Sequence, residues 1–307
     1  MKIKNTYFNT EPFAFHHHGR PKHATWMLSN KPEGYEKFKL KYKVLESQHV
    51  TGNREIFKGR KEKINYIAPS PRAAMDNPLN DKLHILTVNN TPERGSAVRC
   101  MEHFGMQVTQ LGKDIEVYGH ETKIPILIEH IPTIDKEYTM FMDADDIFFT
   151  EDPTNLVSTF EKELSCSMLC NSDSWFFPKG LRRTHELHLF QVNTAEAHDE
   201  RSPYRYLNSG LWIARTDFLQ NVFLPRLQFW RSAWLHADDD PTFLKKPYSD
   251  CDQALFHYTY HDLHPQLKVD IGQKYFQSYA WSPWLGQHYP ERNALEVWDD
   301  YPFDAES

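Results

Sequence analysis

The sequence predicts an α/β protein built on a mostly parallel central sheet flanked by helices, and three observations predict it. From Lys82 onward, short apolar runs of strand length alternate with stretches of helical periodicity, the pattern of linked βα units. One run, Tyr138-Thr139-Met140-Phe141-Met142, stops abruptly at Asp143, Asp145 and Asp146, so a strand delivers three carboxylates to its C-terminal edge, where open α/β sheets bind ligands. The 307 residues hold one large α/β domain or two modest ones and can bury a core.

Taken in order, residues 1–81 read as a basic extension packed on or beside a main domain at 82–307. The extension is irregular and punctuated by Pro12, Pro21, Pro32, Pro69, Pro71 and Pro78; Glu36 to Val44 alternates like an edge strand with lysines outward, and Ile64 to Ile67 reads as another short strand. In the main domain Leu83 to Val88 is a buried strand by composition. Thr91-Pro92-Glu93 opens a helix that runs to about Phe104 and stops at Gly105, and Met106 to Leu111 is the second strand. Lys123 to Ile131 carries an apolar helical stripe despite Pro125, the Tyr138 strand follows, and Asp152-Pro153 has the look of a helix start for Thr154 to Leu164. Cys166 to Cys170 and Leu207 to Ala214 read as strands, Asp217 to Trp234 as a helix interrupted by Pro225, Asp250 to Tyr260 as a helix and Leu267 to Ile271 as the last strand.

Composition narrows the function classes. The four cysteines, Cys100, Cys166, Cys170 and Cys251, form no Cys-x-x-Cys pair, so they read as reduced thiols rather than a zinc site or disulfide framework. Gly-x-Gly-x-x-Gly and the P-loop pattern are absent, which disfavours a dinucleotide or NTP-hydrolysing site. No apolar core follows Met1-Lys2-Ile3-Lys4-Asn5 and no apolar run approaches the roughly 18 residues of a bilayer span, so the expected location is cytoplasmic. The net charge of -7 hides an asymmetry: residues 1–72 carry fifteen Lys and Arg against six Asp and Glu, and the remainder is strongly acidic. Such a front end either meets a polyanion or is a solvated arm.

Four polar clusters sit where strands end or helices begin. Crowded carboxylates repel one another unless a cation lies between them, so Asp143, Asp145 and Asp146 call for Mg²⁺ or Mn²⁺ if they are more than turn and cap residues. Thr87-Val88-Asn89-Asn90-Thr91 reads equally as a turn with an N-cap or as a nucleotide seat made of backbone and amide groups. Cys170 to Pro178 puts Asp173 and then Trp175, Phe176 and Phe177 just past a strand, which suits either an aromatic loop on the core or a sugar platform. Asn208-Ser209-Gly210 interrupts a buried strand with groups that are costly to bury unless hydrogen-bonded, and the glycine permits close approach. Finally Asp250-Cys251-Asp252-Gln253 opens a helix with two acids, either caps or groups that position a sugar and its acceptor.

The order of these segments carries a resemblance. Thr87-Val88, the Asp143-x-x-Asp146 pair, Asp173-Ser174-x-x-x-Pro178, Leu207-Asn208-Ser209-Gly210 and Asp252-Gln253-x-x-Phe256 resemble the glycosyltransferase domain of procollagen lysyl hydroxylases and related collagen-type glycosyltransferases, over roughly Leu83 to Trp281. The resemblance implies a GT-A-like fold, metal-dependent transfer of a sugar from a nucleotide-diphosphate donor, usually a UDP-sugar, and Mn²⁺ or Mg²⁺ as the cation. The acceptor would be a hydroxyl on a glycan, protein or modified nucleic acid. It implies that Val88 lies against the base, that Asp143 and Asp146 are metal ligands, that Lys123 faces donor phosphate and that Trp175 or Phe177 borders the sugar. Asp145 stands where the family has a tyrosine, so it binds ribose or joins the metal shell. Asp252 matches the second acid of the family's Asp-Asp-Gln, and Cys251 replaces the first. The family's third metal ligand is a histidine in a His-Gly segment after the last strand, where this chain offers only His288. Pro12 to Lys22 resembles that segment instead, so a strand-and-histidine element moved to the front of the chain is expected, with His18 as the ligand and His16 next. Two other readings remain: a catalytically silent nucleotide-sugar or carbohydrate-binding domain, and a metal-dependent phosphoryl-transfer enzyme.

Overall fold

The computed structural model describes residues 13–16, 81–90, 95–116, 119, 122–145, 147–149, 152–178, 183–199, 202, 204–235 and 251–278. The strands expected at Glu36–Val44 and Ile64–Ile67 lie outside these residues, as does the opening of the helix at Thr91.

The strand β1 (Ala14–His16) comes first in the chain, and the βα alternation begins with β2 (Leu83–Val88). It continues through α1 (Ser96–His103), β3 (Val108–Leu111), α2 (Lys123–His130), β4 (Tyr138–Met142) and β5 (Ile147–Phe149). Gly105, at φ 74°, ends the α1 segment where the sequence places the stop, since a glycine takes that conformation without the strain a Cβ adds. Then come α3 (Thr154–Glu163), β6 (Met168–Asp173), α4 (Thr184–Asp199) and β7 (Tyr206–Arg215). Asp152 stands just before the N-cap Pro153 of α3, its Oδ1 accepting from the Thr154 amide at 2.9 Å and the Thr154 hydroxyl at 2.7 Å. A helical run then passes through Thr216–Phe218 and a π-helical Leu219–Phe223 into α5 (Leu224–Leu235). Pro225 therefore does not break the helix. It falls just after the wider π turn, near the start of α5, where a missing N–H costs least. The chain continues with α6 (Asp252–Leu263), β8 (Leu267–Val269) and β9 (Phe276–Ser278).

Among the described residues six strands form the central sheet in the order β3-β2-β4-β7-β6-β8. Five run the same way. β7 alone is antiparallel, to β4 on one side and β6 on the other. The sheet is thus mostly parallel, as expected, with one reversed strand near its middle. Alternate residues of each central strand feed two cores: Leu86, Phe141 and Trp212 meet Ile124, Leu127 and Phe256 on one face, while Ile85, Met140 and Ile213 meet Ala97, Met101 and Phe160 on the other. Burying such side chains is worth roughly 1.5–3 kcal/mol each, so the double-faced burial fixes strand register firmly.

A second sheet of three strands, β5-β1-β9, lies beside the acidic edge. β1 pairs antiparallel with β5, His16 opposite Ile147, and parallel with β9, His16 opposite Ser278. Residues 14–16 are therefore an inner strand of the main body, although the sequence assigns them to the extension. Asp270 holds the turn that leads to β9: its buried carboxylate accepts the amides of Lys274, Tyr275 and Phe276 at 3.0, 2.7 and 2.7 Å. Burial pushes that carboxyl up, and the three amides hold the rise in check.

Candidate active site

The site assembles where β4 ends. Asp143 is the first residue beyond the strand, and its amide donates to the Gly210 carbonyl at 2.7 Å, which clamps the acid to β7. Opposite this point the pairing of β6 with β7 slips: Cys170 faces Trp212 but Asn171 faces Asn208, so Ser209, Gly210 and Leu211 bulge out of that ladder. The bulge explains the polar interruption seen in the sequence. Asn208 Oδ1 accepts the Gly210 amide at 2.8 Å, Ser209 turns its hydroxyl to Asp252, and Gly210 is left against two side chains. A Cβ there would lie 2.5 Å from Asp143 Oδ2 and 2.5 Å from His16 Cε1. Only glycine fits.

Four separate segments bring ionisable groups to this spot. Lys123, the first residue of α2, reaches Asp143 Oδ1 at 2.6 Å and Asp252 Oδ2 at 3.3 Å. Asp252, the first residue of α6, also accepts the Ser209 hydroxyl at 2.9 Å. Burial alone would push the Asp252 carboxyl up, but the Lys123 ammonium, the Ser209 hydroxyl and the Gln253 amide together outweigh it and hold the group below the usual carboxylate range. His16, delivered by β1, places Nε2 3.7 Å from Asp143 Oδ2, and its Nδ1 faces Asn171 Nδ2 at 3.2 Å. Gln253 ties α6 to β7, donating to the Leu207 carbonyl at 3.1 Å and taking the Ser209 hydroxyl at 3.2 Å.

Of the residues singled out in the sequence, His16, Lys123, Asp143, Asn208, Ser209, Gly210, Asp252 and Gln253 come together. Others stand apart or serve the scaffold. Val88 and Asn89 are buried at the end of β2, with the Asn89 amide on the Leu111 carbonyl at 2.9 Å, and Asn90 Nδ2 braces the following loop through the Ile115 carbonyl at 3.0 Å. Asp173 is not past its strand but closes it, buried, taking the Trp175 amide at 3.1 Å. Phe176 is buried and stacks on His257 at 4.4 Å, so this aromatic belongs to the core while Trp175 and Phe177 stay part-exposed. Asp145 is exposed and its carboxylate lies against Gly95 at the start of α1. Asp146, Asp250, His18 and His288 lie outside the described residues. So does the basic front end, apart from residues 13–16.

Asn171 was not picked out as a site residue, although it interrupts an apolar strand and orients His16. Cys251, next to Asp252 at the start of α6, has its thiol pushed up to about 12 by burial and by that carboxylate, which leaves it a poor stand-in for an acid. A cavity of about 700 Å³ lined by Asn193, His198, Tyr260, His264, Lys268 and Asp270 contains none of the sequence-predicted site residues.

Among the described residues no group of three or more His, Cys, Asp or Glu side chains is placed to hold a metal ion. His16 and Asp143 form a pair, and their fit to a cation can be judged from geometry. A separation of 3.7 Å is too long for a hydrogen bond but lets both atoms reach one cation at about 2.1 Å, and an imidazole with a carboxylate suits Mn²⁺. The pair therefore fits two positions of a coordination shell.

No protein-family model matches the sequence, and no curated protein matches it. Among solved structures, one similar chain is a glycosyltransferase involved in the glycosylation of the major capsid of PBCV-1, at 12% identity and a TM-score of 0.33, over 71% of this chain and 90% of that one. Another is mouse xyloside xylosyltransferase 1 in its apo form, at 14% identity and a TM-score of 0.30, over 55% of this chain and 56% of that one. Among the described residues no helix is long and apolar enough to cross a membrane.

Proposed function

We propose that this chain is a glycosyltransferase of GT-A type that moves a sugar from a nucleotide-diphosphate donor, with a UDP-sugar as the first candidate, to an acceptor hydroxyl, and that it uses Mn²⁺ or Mg²⁺. The observation that carries the reading is the convergence of His16, Lys123, Asp143 and Asp252 at the end of β4, drawn from four segments far apart in the sequence. A scaffold has no need of this arrangement. It costs a crowded pair of acids, a buried polar bulge and an obligatory glycine.

Asp143 and His16 would hold the cation, which when bound compensates charge on the leaving diphosphate. A cation at His16 Nε2 requires the ring proton on Nδ1, where Asn171 now presents Nδ2; presenting Oδ1 there instead means that the Asn171 amide turns and gives up the Ser172 amide it accepts at 2.8 Å. Lys123 offers an ammonium to the same diphosphate. Asp252, held ionised, accepts hydrogen bonds from sugar or acceptor hydroxyls and takes the acceptor's proton as its oxygen attacks. Trp175 and Phe177 offer partly exposed rings to the sugar.

The test is a screen of nucleotide sugars for release of free nucleoside diphosphate, with Mn²⁺, with Mg²⁺ and with chelator. Release that depends on the metal, from one or a few donors, is expected. Donor binding with no turnover on any acceptor would make the chain a binding domain, and hydrolysis of simple phosphodiesters instead would make it a phosphoryl-transfer enzyme.

A further inference from the structure

Granting the donor site proposed above, we propose that in the ligand-free protein the Lys123 ammonium bridges Asp143 and Asp252 and so holds a divalent cation off the neighbouring Asp143 oxygen that faces His16. A divalent cation then enters only together with a diphosphate that draws the lysine away. The geometry points to this. Lys123 Nζ is 2.6 Å from Asp143 Oδ1 and 3.3 Å from Asp252 Oδ2, so one point charge bridges carboxylates that come from different elements, the end of β4 and the start of α6. All three side chains are largely shielded, with exposures of 14%, 24% and 8% for Lys123, Asp143 and Asp252, so water screens the contact poorly.

Asp143 is fully engaged in this state. One oxygen is held by the ammonium and the other faces His16. A divalent cation beside His16 would bind this same carboxylate while a like charge sat on its other oxygen, and that repulsion disfavours the pair. A diphosphate removes the conflict by offering the ammonium several anionic oxygens within a short swing of its flexible stem. The stem has a fixed base: Lys123 begins α2, with Nζ 5.7 Å from the Phe141 ring. The lysine therefore moves as a side chain, with the helix in place.

The consequence is reciprocal coupling. Mn²⁺ and diphosphate must each raise the other's affinity by the same factor. The experiment measures Mn²⁺ binding by electron paramagnetic resonance, with and without saturating UDP, in the wild type and in Lys123→Met and Lys123→Arg, and UDP binding with and without Mn²⁺ in the unaltered protein. The wild type should bind Mn²⁺ alone weakly and with UDP on the order of tenfold or more tightly; Lys123→Met should bind Mn²⁺ alone on the order of tenfold more tightly than the wild type, and Lys123→Arg should not. If the wild type binds Mn²⁺ equally with and without UDP, or if Lys123→Met gains nothing while the wild type still binds Mn²⁺ with UDP, the proposal is overturned and the donor site stands. If neither protein binds Mn²⁺ under any condition, the metal-dependent donor site itself is wrong, and this proposal falls with it.

Discussion

His16 and Asp143 face each other across 3.7 Å, Nε2 to Oδ2, at the one point where Gly210 leaves no room for a side chain. The pair exists because β1 is threaded between β5 and β9, so an N-terminal tripeptide supplies a histidine to the acid that closes β4. Gly210→Ala should force the two apart. The expected result is a loss of about 1–3 kcal/mol in stability, as for overpacking, and a far larger relative loss of donor hydrolysis. Gly272→Ala is the matched control, since a Cβ there finds only His198 Nε2 at an ordinary 3.5 Å. Equal activity in the two variants would mean that the close approach at Gly210 is incidental.

The histidine itself can be tested against its neighbours. His16→Ala should weaken Mn²⁺ binding by more than Asn171→Ala does, and loss of the Asn171 partner should cost about tenfold, as expected for a group that only orients a ligand. His261→Ala, which removes a ring paired with Asp262 and Glu186 far from this edge, should leave metal binding alone. Unchanged Mn²⁺ titration in His16→Ala would remove it from the shell and turn attention back to His18.

Much of this layout was legible in the sequence, and the failures have physical causes. Leu83–Val88 and Tyr138–Met142 are buried on both faces, so they read as continuous apolar runs, and the acids after Met142 mark the sheet edge whatever the rest does. The same double burial hides direction: nothing in Leu207 to Ala214 says that β7 runs against its neighbours. The helix α4 was missed because Leu187, Gln191 and Ala195 are buried among His, Thr and Asn, which favour helix weakly. β9 has three residues, too few for a period. The resemblance at Pro12 to Lys22 covers the strand Ala14–His16, but the histidine beside Asp143 in the structure is His16, and only tertiary pairing with β5 and β9 fixes which residue of an alternating strand points inward.

Asp252 makes a sharper prediction about chemistry. Its carboxylate is buried, held below the usual carboxylate range and bonded to both Lys123 and Ser209, and the role proposed for it is to take the acceptor's proton. Asp252→Asn keeps the shape and the link to Ser209 but removes the charge. Turnover should fall by about 10²–10⁴, while UDP binding by calorimetry stays near that of the wild type. Loss of UDP binding in step with turnover would reassign Asp252 to the donor site.

The last prediction concerns pH and a residue away from the reacting groups. His257 is fully buried, with Nδ1 2.9 Å from Gln191 Nε2 and Nε2 2.8 Å from the Phe177 carbonyl, and burial pulls it down to about 4. The native state therefore keeps the ring neutral, whereas the unfolded chain protonates it near the ordinary 6.5. Below that value the unfolded state binds the extra proton, so stability contributed by the neutral ring is intact above about 6.5 and is lost as pH falls towards 4. The loss over the whole window is of order 3 kcal/mol. Denaturant midpoints measured at intervals from pH 7 to pH 4.5 should fall more steeply for the wild type than for His257→Gln, which has no proton to gain. The variant will also be less stable at pH 7, because a glutamine cannot satisfy both Gln191 and the Phe177 carbonyl in the same way. Parallel pH profiles for the two proteins would show that His257 does not titrate on unfolding in this range, and the acid sensitivity would then belong to other groups.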